Sequence, residues 1–174
     1  SAIQEKLGDN YGCCKLPTFT CDGKQVQMGS FLGCKIYGVN SQTAYPVDAM
    51  ELAEFLNGLG HGITVSYPGL KEHPYHEIAA KQFHGGFGAI ITLRTGSKER
   101  AFQILNELKL PWLVSNIGDT KTLVIHPSST IAAHLSNEEK ELSGVYDDMI
   151  RISVGIEDIE DLKEDFKQAI ENNR

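Results

Sequence analysis

Cysteine is scarce and lopsided in this chain. Of 174 residues only Cys13, Cys14, Cys21 and Cys34 carry thiols, and the 140 residues after them have none. No C-x-x-C pair is present, so the ligand spacing of a structural zinc site is missing and reduced thiols are expected. Long apolar runs are also absent. Nothing approaches the roughly 18 residues that cross a bilayer, and Ser1-Ala2-Ile3-Gln4-Glu5-Lys6 offers no basic block ahead of an apolar one. A soluble, cytoplasmic protein with no membrane contact is expected. Positive charge is short as well: the net charge is −7, with four lysines against three acids (+1) in residues 1–47 and −8 over the remainder. That balance disfavours a nucleic-acid surface. The familiar catalytic signatures are missing too. There is no H-E-x-x-H pair for zinc and no G-x-S-x-G elbow for a serine nucleophile. Gly85-Gly86-Phe87-Gly88 follows an expected helix and precedes an expected strand, the reverse of a phosphate loop. No internal repeat or low-complexity stretch is evident.

With 41% apolar and 22% charged residues, the chain has the balance of an ordinary folded domain. Its first 47 residues are glycine-rich, and Gly23 to Cys34 shows neither helical nor strand periodicity, although Lys35-Ile36-Tyr37-Gly38-Val39 has the alternation of a strand. From Pro46 the pattern sharpens. Asp48 is placed to cap a helix carrying Met50, Ala53 and Leu56 and ending at Gly58. Ile63 to Tyr67 alternates and stops at Pro68-Gly69, a helix is expected over about 74–83, and Ala89 to Leu93 reads as a strand. Ser97 is placed to cap a helix with Phe102, Leu105 and Leu108 on one stripe, which Pro111 ends. Short extended runs follow at Trp112-Leu113-Val114 and Thr122-Leu123-Val124-Ile125, then a small acidic helix over 137–142. Met149 to Val154 alternates strictly, and Asp158 caps a helix whose apolar residues are Ile159, Leu162, Phe166, Ala169 and Ile170. This order predicts a mixed α/β fold of two layers, a small, mostly antiparallel sheet with helices on one face only.

The uncovered face is where the unusual residues fall. If Ile150, Ile152 and Val154 pack under the helices, Arg151 and Ser153 point the other way. A guanidinium on a strand suits a carboxylate or phosphate, which it grips through two parallel hydrogen bonds, although on the strand alone an ion pair with a local acid or plain solvent exposure is the stronger reading. Ser115-Asn116-Ile117-Gly118-Asp119-Thr120-Lys121-Thr122 is a polar connection between two apolar runs, with backbone N–H groups suited to an anion. His126-Pro127-Ser128-Ser129-Thr130 gathers an imidazole and hydroxyls without the strained turn that a nucleophile needs. His73 and His76 read as helix-start residues.

Five blocks in this order carry a resemblance: Tyr67-Pro68-Gly69-Leu70 with His73-Pro74; Gly85 to Ala89; Ser115 to Leu123; His126 to Thr130; and Ile150-Arg151-Ile152-Ser153-Val154-Gly155-Ile156-Glu157-Asp158. Together they resemble the C-terminal part of the cystathionine-synthase-like family of pyridoxal-phosphate enzymes, on its O-acetylhomoserine sulfhydrylase side. Residues 48–174 then correspond to the small C-terminal domain of a fold-type I enzyme, and residues 1–47 form an atypical segment. The family pattern has a Thr-His pair where Ile131 and Ala132 stand. The resemblance implies that Arg151 binds the substrate α-carboxylate with help from Asn116 and Ser115. It implies no catalytic lysine here, because the cofactor belongs to the large domain, which becomes the expected partner. Pyridoxal phosphate is thus expected in the complete enzyme and not on this chain alone. The implied reaction replaces the acetate of O-acetylhomoserine by sulfide to give homocysteine. The relatives cystathionine γ-synthase and γ-lyase remain open, as do self-association and a freestanding binding or assembly module of the same fold.

Overall fold

The computed structural model describes the backbone of residues 18–21 and 24–27 and the chain from Pro46 to Arg174, with side chains from Asp48 onward. Thr18–Cys21 (β1) and Lys24–Gln27 (β2) form an antiparallel hairpin with Cys21 opposite Lys24. They belong to a compact unit of residues 1–36, and residues 37–174 form another. The lack of periodicity over residues 23–34 hid β2, because four residues are too few to establish a repeat. The better signal was Asp22-Gly23, a favoured pair for a two-residue hairpin connection. The strand expected at Lys35 to Val39 and the cysteine side chains lie outside the described residues.

In the larger unit the first helix, Pro46–Leu59 (α1), begins two residues before the expected cap. Asp48 therefore stands in its first turn, where a carboxylate faces the positive end of the helix dipole. Its buried stripe is Ala49, Leu52, Ala53 and Leu56, with Met50 at the margin. Thr64–Ser66 (β3) follows, then His76–Gln82 (α2), which starts after Pro74 with no side-chain cap. Ile90–Arg94 (β4) leads to Lys98–Glu107 (α3), capped by Ser97, whose Oγ accepts from the Arg100 N–H at 3.2 Å. The stripe expected on α3 is rotated: Ala101, Ile104 and Leu105 are buried, while Phe102 turns outward and packs its ring 4.6 Å from that of His126. Trp112–Leu113 (β5) and Leu123–Ile125 (β6) precede a 3-10 turn at Pro127–Ser129. Asn137–Leu142 (α4) opens on a complete capping box between Ser136 and Glu139. Met149–Ser153 (β7) and Ile159–Asn172 (α5) close the unit, with Asp158 accepting from the Glu160 and Asp161 N–H groups.

The five strands of this unit lie in the order β3-β4-β7-β6-β5. Every pairing is antiparallel except β5 with β6, so the expected sheet type holds with one parallel edge. Val65, Ile91, Leu93, Ile150, Ile152 and Val124 share a face and join Leu52, Leu56, Ile104, Leu162, Phe166 and Ile170 of α1, α3 and α5 in one core. Each of these large side chains contributes about 1.5–3 kcal/mol by leaving water. The two-layer arrangement follows from that alternation, and it places β7 at the centre of the sheet.

Candidate functional site

With Ile150 and Ile152 committed to the core, strand geometry turns Arg151 and Ser153 to the other face. The register sets Arg151 between Thr92 of β4 and Ile125 of β6, with Ser66 of β3 beyond Thr92. His73 reaches the edge of the same row, its Nε2 3.2 Å from the Ser66 hydroxyl, while its Nδ1 accepts from the Tyr75 N–H. His76 holds the Pro68 carbonyl at 2.9 Å. Both histidines thus serve the turn before α2.

The connection from β5 to β6 lies over part of this face, which is less open than expected. It leaves the sheet at Val114, whose N–H donates to Val124 at 3.2 Å, and bends at Gly118, where φ is +78°, a conformation that favours glycine. The Gly118 N–H donates to the Ser153 hydroxyl at 3.2 Å, which leaves Ser153 only 2% exposed. One segment earlier, the Ser115 and Asn116 carbonyls accept from Arg151 Nη2 at 2.8 and 3.3 Å. The three residues singled out in the sequence, Arg151, Ser115 and Asn116, are therefore together. The two loop residues act on the guanidinium through backbone oxygens, and their side chains are exposed. Three of the loop N–H groups are taken up within the fold: those of Gly118, Lys121 and Thr122 donate to Ser153, Asp119 and Glu157.

Glu157 was not picked out among the many acids of the chain. Its Oε1 accepts from the Thr122 N–H and its Oε2 from the Thr122 hydroxyl, both at 2.7 Å, and Lys121 Nζ stands 3.3 Å away. Partial burial pushes this carboxyl upward. The hydrogen bonds from Thr122, from its own N–H and from Lys121 outweigh that and hold it below the usual carboxylate range. The Thr122 hydroxyl in turn accepts from the Gly155 N–H at 2.9 Å, and the Ile156 N–H donates to Thr120 at 2.9 Å.

The imidazole and hydroxyls of residues 126–130 are brought together without a nucleophile's geometry. His126 Nε2 donates to the Asp147 carbonyl at 2.6 Å, so Nδ1 is the acceptor, and it takes both the Ser129 hydroxyl at 2.8 Å and the Ser129 N–H. That is the cap of a turn, made by a histidine that is 1% exposed. Ser128 donates to the Asp147 carboxylate instead. Among the described residues no group of three or more His, Cys, Asp or Glu side chains could hold a metal, and no described helix is long and apolar enough to cross a membrane.

Residues 42–171 match the family model described as Cys/Met metabolism PLP-dependent enzyme. The chain is 43% identical over 124 residues to O-acetyl-L-homoserine sulfhydrylase 1 of Thermus thermophilus, covering 71% of this chain and 30% of that protein. It is 42% identical over 125 residues to an L-methionine gamma-lyase of Fusobacterium nucleatum, covering 71% and 31%. Among solved structures, an O-acetylhomoserine (thiol)-lyase from Campylobacter jejuni, containing N'-pyridoxyl-lysine-5'-monophosphate, superimposes with a TM-score of 0.69 at 38% identity over 72% of this chain and 30% of that one. Cystathionine gamma-lyase from yeast gives the same score at 37% identity, covering 72% and 33%. The chain spans about a third of the length of these relatives.

Proposed function

Since this chain belongs to the Cys/Met metabolism PLP-dependent enzymes, we propose that residues 48–174 are the small C-terminal domain of an O-acetylhomoserine sulfhydrylase and supply its grip on the substrate α-carboxylate. Arg151 is the residue that binds the carboxylate. Ser115 and Asn116 hold the guanidinium plane while the anion arrives. The complete enzyme would replace acetate by sulfide at Cγ, in the cytoplasm, with the large cofactor-bearing domain as partner of this one. The single observation that supports this best is the placement of Arg151: mid-strand, on the sheet face away from the helices, with its Nη2 donating to the Ser115 and Asn116 carbonyls.

The lysines that pair with acids among the described residues do not fit as holders of a pyridoxal phosphate. A lysine that forms an imine with the cofactor needs a desolvated pocket that lowers its pKa. Here Lys163 is paired with Glu51 and Glu160, which push its pKa up, and Lys121 and Lys167 pair with Glu157 and Glu164. A shallow hollow of about 400 Å³ beside Lys109 is lined by Asp161, Glu164 and Asp165, which repel a phosphate. No reaction step is assigned to the cofactor on this chain, and substrate binding is the role proposed for the described residues.

The test is Arg151→Ala in the complete enzyme carrying this domain. A hydrogen bond to a charged group contributes about 1.5–3 kcal/mol, so KM for O-acetylhomoserine should rise roughly 10- to 100-fold, with a smaller effect on kcat. An unchanged KM refutes the reading.

A further inference from the structure

Between Arg151 and Glu157 lie five residues of sequence and one of the most tightly tied regions of the described chain. The loop that orients Arg151 is held at its near end by the Gly118 N–H on Ser153. At its far end two bonds from Thr122 converge on Glu157, Lys121 closes on the same carboxylate, and Ile156 donates to Thr120. The Glu157 side chain is 15% exposed, and Thr122 is fully buried. There is no slack between the layers: a Cβ at Gly155 would fall 2.5 Å from Thr120 O, Thr122 N and Glu157 Oε2.

We propose that Glu157 is a positioning residue for the carboxylate contact, because its carboxylate ties the end of the β5–β6 loop to the end of β7 and so keeps the Ser115 and Asn116 carbonyls on Arg151. The inference rests on the reading of Arg151 given above. The chain of cause is short. Without the two bonds to Glu157, the far half of the loop keeps only the Ile156 N–H on Thr120 and the Gly155 N–H on the Thr122 hydroxyl, and Gly118, with φ at +78°, is where it can bend. A loop fixed at both ends cannot lift its 115–116 segment off the guanidinium. Burial alone would push Glu157 toward the neutral acid, which would leave one oxygen unable to accept from Thr122. The hydrogen bonds that its carboxylate accepts keep it charged, and both oxygens remain acceptors.

The experiment follows rotation about the Nε–Cζ bond of the arginine side chains by NMR exchange spectroscopy on the isotope-labelled 174-residue chain. Arg94, held by Asp148 and stacked 3.8 Å over Tyr146, and Arg100, held by the Asn173 and Thr95 carbonyls, are internal references. Glu157→Ala should speed rotation at Arg151 at least tenfold and leave the two references unchanged. Thr122→Ser, which keeps both donors, should leave Arg151 at the wild-type rate. If the alanine variant does not fold, Glu157→Gln, which keeps one acceptor oxygen for the Thr122 N–H, should give an intermediate rate at Arg151 alone. An unchanged Arg151, or all three arginines loosening together, overturns the proposal. A second arm measures KM for O-acetyl-L-homoserine with Arg151→Ala in the complete enzyme. A KM that this change leaves unaltered, beside a rotation in this chain that depends on Glu157, overturns the carboxylate reading. The reverse pattern overturns the positioning role alone.

Discussion

Gly155→Ala tests how closely the loop is fitted to the end of β7. The added methyl carbon would meet two backbone atoms, Thr120 O and Thr122 N, and the Glu157 carboxylate at 2.5 Å, where ordinary contact begins at 3.4 Å. Something must therefore move by nearly 1 Å, and backbone cannot swing aside as a flexible side chain can. Forcing a methyl into a packed region costs about 1–3 kcal/mol. If the loop yields, the two bonds from Thr122 to Glu157 stretch as well, and hydrogen bonds to charged groups are each worth about 1.5–3 kcal/mol. These losses share the same displacement and do not add in full, so the expected destabilisation is about 3 kcal/mol. Urea unfolding can be followed by the fluorescence of Trp112, the one tryptophan in the chain, which is 59% exposed on β5 at the root of the loop. With a slope of about 1–3 kcal/mol per molar urea, the midpoint should fall by about 1–3 M. Gly58→Ala is the matched control: the same atom meets nothing within 4 Å inside α1, and a helix gains about 0.5–1 kcal/mol from alanine over glycine. A Gly155 variant that unfolds within about 0.5 kcal/mol of wild type, a surface-like change, would refute the close-packing argument.

Two further outcomes follow from titration. Glu157 has a lowered pKa in the folded chain, so its contribution is fully present above the unfolded carboxylate value of about 4.3 and is lost as pH falls through the lowered one. The difference in Tm between wild type and Glu157→Gln should therefore be constant near neutrality and shrink in acid, and a difference that grows in acid would contradict the assignment. Tyr67 is fully buried and donates to the Gly88 carbonyl at 2.8 Å, and burial pushes its hydroxyl up to about 12. Its stabilising effect is complete below the unfolded value of about 10 and is lost as pH rises through the folded one. Tyr67→Phe should cost about 1 kcal/mol at neutral pH and flatten the alkaline fall in Tm, and an unaltered alkaline profile would count against a buried phenol.

The parts of this fold legible in the sequence are those where one side-chain pattern decides one interaction. Ile150, Ile152 and the stripe Leu162, Phe166, Ala169, Ile170 announce a strand and a helix that bury one side each, and both form as the spacing predicts. Asp158 and Ser97 cap where they stand because a short acceptor beside a helical run has few other roles. Where two patterns competed, the reading slipped. Phe102 is apolar and correctly spaced, but it has His126 to cover, and the smaller Ala101 goes inward. Asp48 looks like a cap, yet the helix starts at Pro46, which is well suited to a first turn.

The candidate site divides along the same line. Arg151 could be found because alternation fixes its face, and the face opposite a helix layer is where a charge can stay wet. What holds it could not be found, because the Ser115 and Asn116 oxygens that it reaches are backbone atoms, and every residue type supplies the same carbonyl. The side chains at those two positions are free to meet a substrate, since the guanidinium makes no demand on them there. The demand is passed to whatever fixes the loop's path: Gly118 through its φ, Ser153 through its hydroxyl, and Glu157 through both carboxylate oxygens. An oriented guanidinium on this sheet thus depends on a glycine, a serine and a glutamate that need never touch the anion. With Arg151 as the proposed carboxylate ligand, substitutions at those positions should weaken that binding without removing any group that contacts the anion.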